Sequence, residues 1–160
     1  MQALINWWWK LRQYRFLQVL KWLPLLARDR QWDYIYLVLV VRFKLRLMEA
    51  RFKSPHAQCV DALVIAEQIQ RAREAADRLI AGEYLHLALI PHEARWGEPE
   101  LDIRDDIMHG TRFSLATTPE AQAQAHAEYR AACRAADVVE AADWALLWDT
   151  IKKHAQEWWD

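Results

Sequence analysis

Arg42, Arg46 and Lys53 are the residues whose types and spacing most readily suggest chemistry. Steps of four and seven put all three on one side of a helix that carries them. A guanidinium can meet an oxyanion with two parallel hydrogen bonds, so arginines one turn apart suit a phosphate-like ligand. Glu49 shares that side and can pair with Arg46 or Lys53, which leaves a second reading open: a self-neutralised, solvated face. His56 could add a hydrogen bond to a bound anion. Trp96 could stack on a planar group, a contact worth about 1–3 kcal/mol when the group is a base. The ligand site expected from Arg42, Arg46, His56 and Trp96 lies where the basic side of the second helix meets a loop at 83–117.

Other reactive groups point away from catalysis. His92-Glu93 is followed by Ala94-Arg95-Trp96 and so does not form HExxH. His86 and His92 are six residues apart with no cysteine cluster beside them, and no metal site is expected. The hydroxyls of Ser54, Thr111, Ser114, Thr117, Thr118 and Thr150 lie in no nucleophile elbow. Cys59 stands three residues from His56, a conceivable pair, but it reads as a structural thiol inside a helix. Cys59 and Cys133 both read as free buried thiols of a reducing compartment. The 3 glycines are too scattered to cradle a phosphate. Asp105-Asp106, with Glu98 and Glu100 nearby, reads as a solvated acidic loop. The expectation is a binding protein, not an enzyme, with no cofactor.

The elements that must position these residues are helical. The chain has 160 residues, about one domain. Hydrophobic residues make up 54% and charged residues 27%, with only 3 glycines and 5 prolines, a balance that favours helix over a turn-rich β fold. The reading is an all-α bundle of four to five helices in one domain over 1–160, with a long, partly irregular loop at about 83–117. A basic, tryptophan-rich helix is expected over 3–22, broken or kinked at Pro24. A second spans 32–53, with Trp32, Tyr36, Leu39, Phe43, Leu47 and Ala50 as its apolar face. Ser54-Pro55 reads as the cap of a third helix over 55–81, in which Ala62, Ile65, Ile69, Ala72, Ala76 and Leu79 repeat and Gly82 is the stop. Glu67 with Arg71 and Glu74 with Arg78 are i,i+4 pairs on its outer face. Within 83–117, residues 83–90 suit a short helix and 112–116 a short strand. Thr117 and Glu120 fit a capping box ahead of an alanine-rich helix to Ala136. A last helix over 138–158 places Trp144, Leu147, Trp148, Ile151, Ala155 and Trp158 on one face; it is either separate or continuous with the one before it.

Charge and tryptophan are unevenly spread. Residues 1–53 hold 11 Lys+Arg against 3 Asp+Glu, net +8, and residues 54–160 hold 10 against 19, net −9, which together make the overall −1. The two halves can attract each other, within one chain or across a homo-oligomer, or the basic half can meet an anionic partner. Of the 10 tryptophans, Trp7-Trp8-Trp9 cannot all face one core, because helix neighbours diverge by about 100°. Beside Lys10, Arg12 and Arg15 they suggest a subunit interface, a protein partner or a membrane surface. No apolar run is long enough to span a bilayer. Nucleic acid is not favoured, because the overall charge is not basic and no binding motif appears.

Trp32-Asp33-Tyr34, Arg42-Phe43-Lys44-Leu45, His56, Trp96-Gly97-Glu98 and the terminal Trp158-Trp159-Asp160 together resemble a group of small proteins encoded by tailed bacteriophages and prophages. The resemblance covers residues 30–160, with residues 1–28 outside it. It implies a setting in the cytoplasm of a host bacterial cell and action on host machinery or defence. Two binding roles follow from it: capture of an anionic, nucleotide-like small molecule to counter host defence, or contact with a host or phage protein. Attachment to the membrane surface through the first helix is a third role, suggested by its tryptophans and basic residues.

Overall fold

In a computed structural model the protein is described over residues 16–27, 34–55, 57, 59–104 and 107–158, with backbone alone at 16–18, 102–104 and 107–109. Trp7-Trp8-Trp9, Trp32, His56, Asp105-Asp106 and Trp159 lie outside the described residues. Among the described residues, five helices and one antiparallel pair of strands follow in the order α1 (Phe16–Leu26), α2 (Tyr34–Phe52), α3 (Ala62–Ala81), α4 (Tyr84–Trp96), β1 (Pro99–Arg104), β2 (Ile107–Phe113) and α5 (Pro119–His154). The expected all-α bundle is the observed architecture. α3 packs between α2 and α5, and α4 lies along α5.

The stepped apolar residues of α3 form the centre. Ala62, Ile65, Ile69, Ala72, Ala76 and Leu79 are all buried, with Ala66 and Ala75 beside them. Small side chains there let the neighbouring helices approach closely. Val38, Leu45 and Met48 of α2 meet this stripe from one side, and Leu147 and Trp158 from the other. Trp144 and Ile151 pack against the same cluster, so most of the face expected at the C-terminal end is turned inward, but Trp148, expected on it, is exposed. On α2 the outcome differs. Tyr36, Leu39, Phe43 and Leu47 are only partly buried and Ala50 is exposed. α2 is apolar on nearly every side, so its periodicity could not choose between faces; the stripe of α3 made the choice.

Several boundaries shift for local reasons. α1 continues past Pro24 to Leu26, and the Ala27 amide still donates to the Leu23 carbonyl at 2.9 Å. Ser54-Pro55 opens a turn, not α3, which starts at Ala62. Cys59 is consequently outside α3 and exposed, while Cys133 is half-buried in α5. α3 ends at Gly82 (φ 65°), whose amide donates to the Arg78 carbonyl at 3.0 Å. The stretch at 83–117 is more regular than expected. α4 fills its first third, running through Pro91, and β1 and β2 pair from Pro99↔Phe113 to Arg104↔Ile107 with an irregularity between Asp102 and Ile103. Gly97 joins helix to hairpin at φ 78°, where a Cβ would stand 2.1 Å from the Ser114 hydroxyl, so the join requires glycine. Thr118, one residue later than expected, caps α5 by accepting from the Ala121 amide at 3.2 Å. The two last helices are one, 36 residues from Pro119 to His154, about 54 Å long at 1.5 Å per residue.

Candidate functional site

The basic side of α2 faces α3, and the two helices form a groove of about 440 Å³ between them. Arg42, Arg46, Glu49, Ala50 and Lys53 of α2 line it together with Arg73 of α3. Four cations therefore stand around one carboxylate. A network holds three of them. Arg73 donates through Nε to Glu49 at 2.6 Å and through Nη1 to Asp77 at 2.6 Å. Lys53 Nζ donates to Glu49 at 2.7 Å and to Gln70 at 2.8 Å. Arg42 pairs through Nε with Asp77. Burial alone would push the Glu49 carboxyl up, but the hydrogen bonds from Lys53 and Arg73 outweigh it and hold Glu49 below the usual carboxylate range.

Arg46 is different. It is exposed, it lines the groove, and it has no ion pair or hydrogen bond among the described residues. Glu49, its expected partner, turns to Lys53 and Arg73 instead. Arg42 lies one turn back along the same face and uses only Nε among the described residues, which leaves its two terminal nitrogens to point elsewhere. Two guanidinium groups on one face, one anchored and one without a partner among the described residues, have the geometry to grip an oxyanion between them.

The groove continues under α1. A second cleft of about 250 Å³ is shared by Lys21 and Leu25 of α1 with Leu39, Arg42, Phe43 and Arg46 of α2. Trp22 packs edge-on against Phe43 there, with ring centroids 4.7 Å apart. Arg42 and Arg46 thus belong to both spaces.

Of the four residues expected at the site, the structure brings Arg42 and Arg46 together. His56 lies outside the described residues. Trp96 is elsewhere. It is buried in a second cluster with Phe113, Ala116 and Ala125, and its indole donates to Glu128 at 2.6 Å. α4 packs on α5, and among the described residues it has no comparable contact with α2, so the loop expected to close over the arginines is replaced by a helix and hairpin along α5. Trp96 anchors that hairpin, and a base-stacking role at the groove does not fit its position. Arg73 and Asp77, on α3, are the groove residues that the sequence reading did not assign. Their i,i+4 spacing was visible, but nothing along the chain shows which face of α3 meets α2.

Two other polar clusters have different character. Arg78 donates to Asp143 through Nε at 2.8 Å and Nη2 at 2.5 Å, and the Tyr84 hydroxyl adds a third bond at 2.7 Å. This replaces the expected Glu74–Arg78 pair. The guanidinium of Arg78 and then the hydroxyl of Tyr84 hold Asp143 below the usual carboxylate range despite its burial. His92 is buried among Phe113 and Tyr129, and its Nε2 meets the Ala125 carbonyl at 2.9 Å. Among the described residues no group of three His, Cys, Asp or Glu could hold a metal ion. Neither is any helix there long and apolar enough to cross a membrane. Comparison with protein families, with curated proteins and with solved structures finds no match.

Proposed function

We propose that this protein is a binding protein that holds a phosphate-type oxyanion in the groove between α2 and α3. One observation carries the reading: Arg46 has no partner among the described residues, in a groove whose other cations are fixed by carboxylates. Glu49 and Asp77, with Glu74 at 3.7 Å from Arg73, keep Arg73, Lys53 and Arg42 in place, and the three carboxylates leave one of the four positive charges uncancelled among the described residues. An anion entering there would meet donors that are already oriented, which lowers the entropy lost on binding. The groove is open, so it suits the phosphate end of a ligand. With Trp96 far off, a nucleotide would be held through its phosphates and not through its base. The resemblance to phage proteins supplies a setting in which capture of such a signal would counter a host defence.

The test is a thermal-shift panel of inorganic phosphate, pyrophosphate and nucleotides. A ligand at about 100 times its Kd should stabilise the protein by about 2.7 kcal/mol. Arg46→Ala should remove that shift and leave the unliganded melting point in place. If no anion in the panel moves the melting point, the reading fails and contact with a protein partner takes its place.

A further inference from the structure

We infer that α1 is an interfacial helix that seats the protein on an anionic membrane surface, with lipid phosphates supplying the oxyanion for Arg42 and Arg46; this rests on the oxyanion reading of that pair. α1 reads Phe-Leu-Gln-Val-Leu-Lys-Trp-Leu-Pro-Leu-Leu and carries one charge, Lys21. Its inner side is occupied, with Trp22 against Phe43 and Leu25 in the cleft. Its outer side has no packing partner among the described residues. Val19, Leu23 and Leu26, at steps of four and three, are 54%, 48% and 54% exposed, and Leu20 beside them is 43% exposed. A contiguous apolar stripe of this kind on a surface marks a contact with something apolar. Its 11 described residues extend about 16 Å, a length suited to lying in a bilayer interface.

Charge selects what covers the stripe. A symmetric pair of copies joined through α1 would bring each chain's Lys21, Arg42 and Arg46 toward the same cations of the other. An anionic bilayer meets the same group with opposite charge, and each surface cation then strengthens attachment about fivefold. Residues 1–53 carry net +8, so the apolar stripe sits in the basic part of the chain. The cleft beneath α1 has a matching division: Lys21, Arg42 and Arg46 offer donors to a headgroup phosphate, while Leu25, Leu39 and Phe43 offer an apolar wall to the start of an acyl chain.

Co-sedimentation of the full chain with phosphatidylcholine vesicles, with and without phosphatidylglycerol, tests this. Binding should require phosphatidylglycerol and weaken as salt is raised. The double variant Leu23→Glu, Leu26→Glu should lose vesicle binding by at least about tenfold while still binding inorganic pyrophosphate like the parent. Val19→Glu, made alone at another half-exposed position, should weaken it in the same direction if the double variant folds poorly by circular dichroism. Arg46→Ala should weaken both vesicle and pyrophosphate binding. Pyrophosphate binding without vesicle binding would overturn the membrane inference and leave the oxyanion site standing. Vesicle binding that these α1 variants do not change would overturn the role of α1. A dimer by sedimentation that the α1 variants abolish, with no vesicle binding, would show that a second copy covers the stripe.

Discussion

α3 carries an arginine–carboxylate network on each of two sides, and the two differ in how completely they are satisfied. On the side toward α5, one buried carboxylate, Asp143, takes both donors of Arg78 and the hydroxyl of Tyr84. Farther along that seam the Trp158 indole donates to Gln68 at 3.2 Å, and Leu147 is fully buried. On the side toward α2, four cations line the groove with one described carboxylate, Glu49, while Asp77 and Glu74 pair with these cations from α3, and Arg46 has no partner among the described residues. The same residue types therefore serve two ends. A saturated network excludes further ligands and fixes a helix pair. A network with a cation left without a partner among the described residues has room for the anion proposed above. Composition does not separate the two; the number of acceptors per guanidinium does.

The closed seam should show the largest losses of stability. Trp158→Ala removes a buried indole, only 6% exposed, and should cost about 3–5 kcal/mol, measured by chemical denaturation. A loss under about 1 kcal/mol would mean that the turn after α5 is not part of the core. Asp143→Ala should cost about 2–3 kcal/mol, since three bonds to a buried carboxylate vanish while Arg78, half-exposed, can return to water. Tyr84→Phe should cost less, about 1 kcal/mol, because one of the three bonds is removed and the ring stays.

Acid should reach both networks through their carboxylates. Asp143 and Glu49 are each held below their ordinary pKa in the folded protein. Unfolding at low pH therefore takes up protons, and their stabilisation is complete above the unfolded-state values, about 3.9 for Asp and 4.3 for Glu. The melting temperature should be flat from neutral pH to about pH 5 and then fall as pH drops through 4. A curve that rises over that interval would contradict the ion-pair assignment.

The groove should show small effects on stability and clear effects on binding. Glu49→Gln keeps an acceptor and removes a charge; it should cost about 1 kcal/mol and tighten anion binding, because the groove becomes more positive. A weakened anion affinity would instead show that Glu49 is needed to orient Arg73 and Lys53. Arg46→Ala, at an exposed position with no partner among the described residues, should change stability by no more than about 0.5 kcal/mol.

How much of this could be read along the chain depended on whether one element or two decided it. The buried stripe of α3 was legible because its apolar steps occur in a helix with a clear polar side, and Gly82 marked its end. Arg42 and Arg46 were legible as a pair because a helix places residues four apart on one face. The buried face of α2 was not, since apolar residues surround that helix and only α3 distinguishes among them. Trp96 was misplaced for a related reason. The run 83–117 shows weak periodicity because α4 carries Pro91 and has apolar residues on several sides, and the hairpin is held by contacts to α5 that no local pattern reveals. Arg73 and Asp77 were hidden in the same way: their spacing is local, but the groove they complete exists only once α2 and α3 have met.

Isothermal titration of pyrophosphate at low salt into the full chain and into Arg46→Ala measures the central claim most directly. The account predicts saturable binding to the parent, weakened by added salt, and an affinity at least about tenfold lower for Arg46→Ala, equivalent to about 1.4 kcal/mol. A flat titration of the folded parent, or equal affinity in Arg46→Ala, would contradict it.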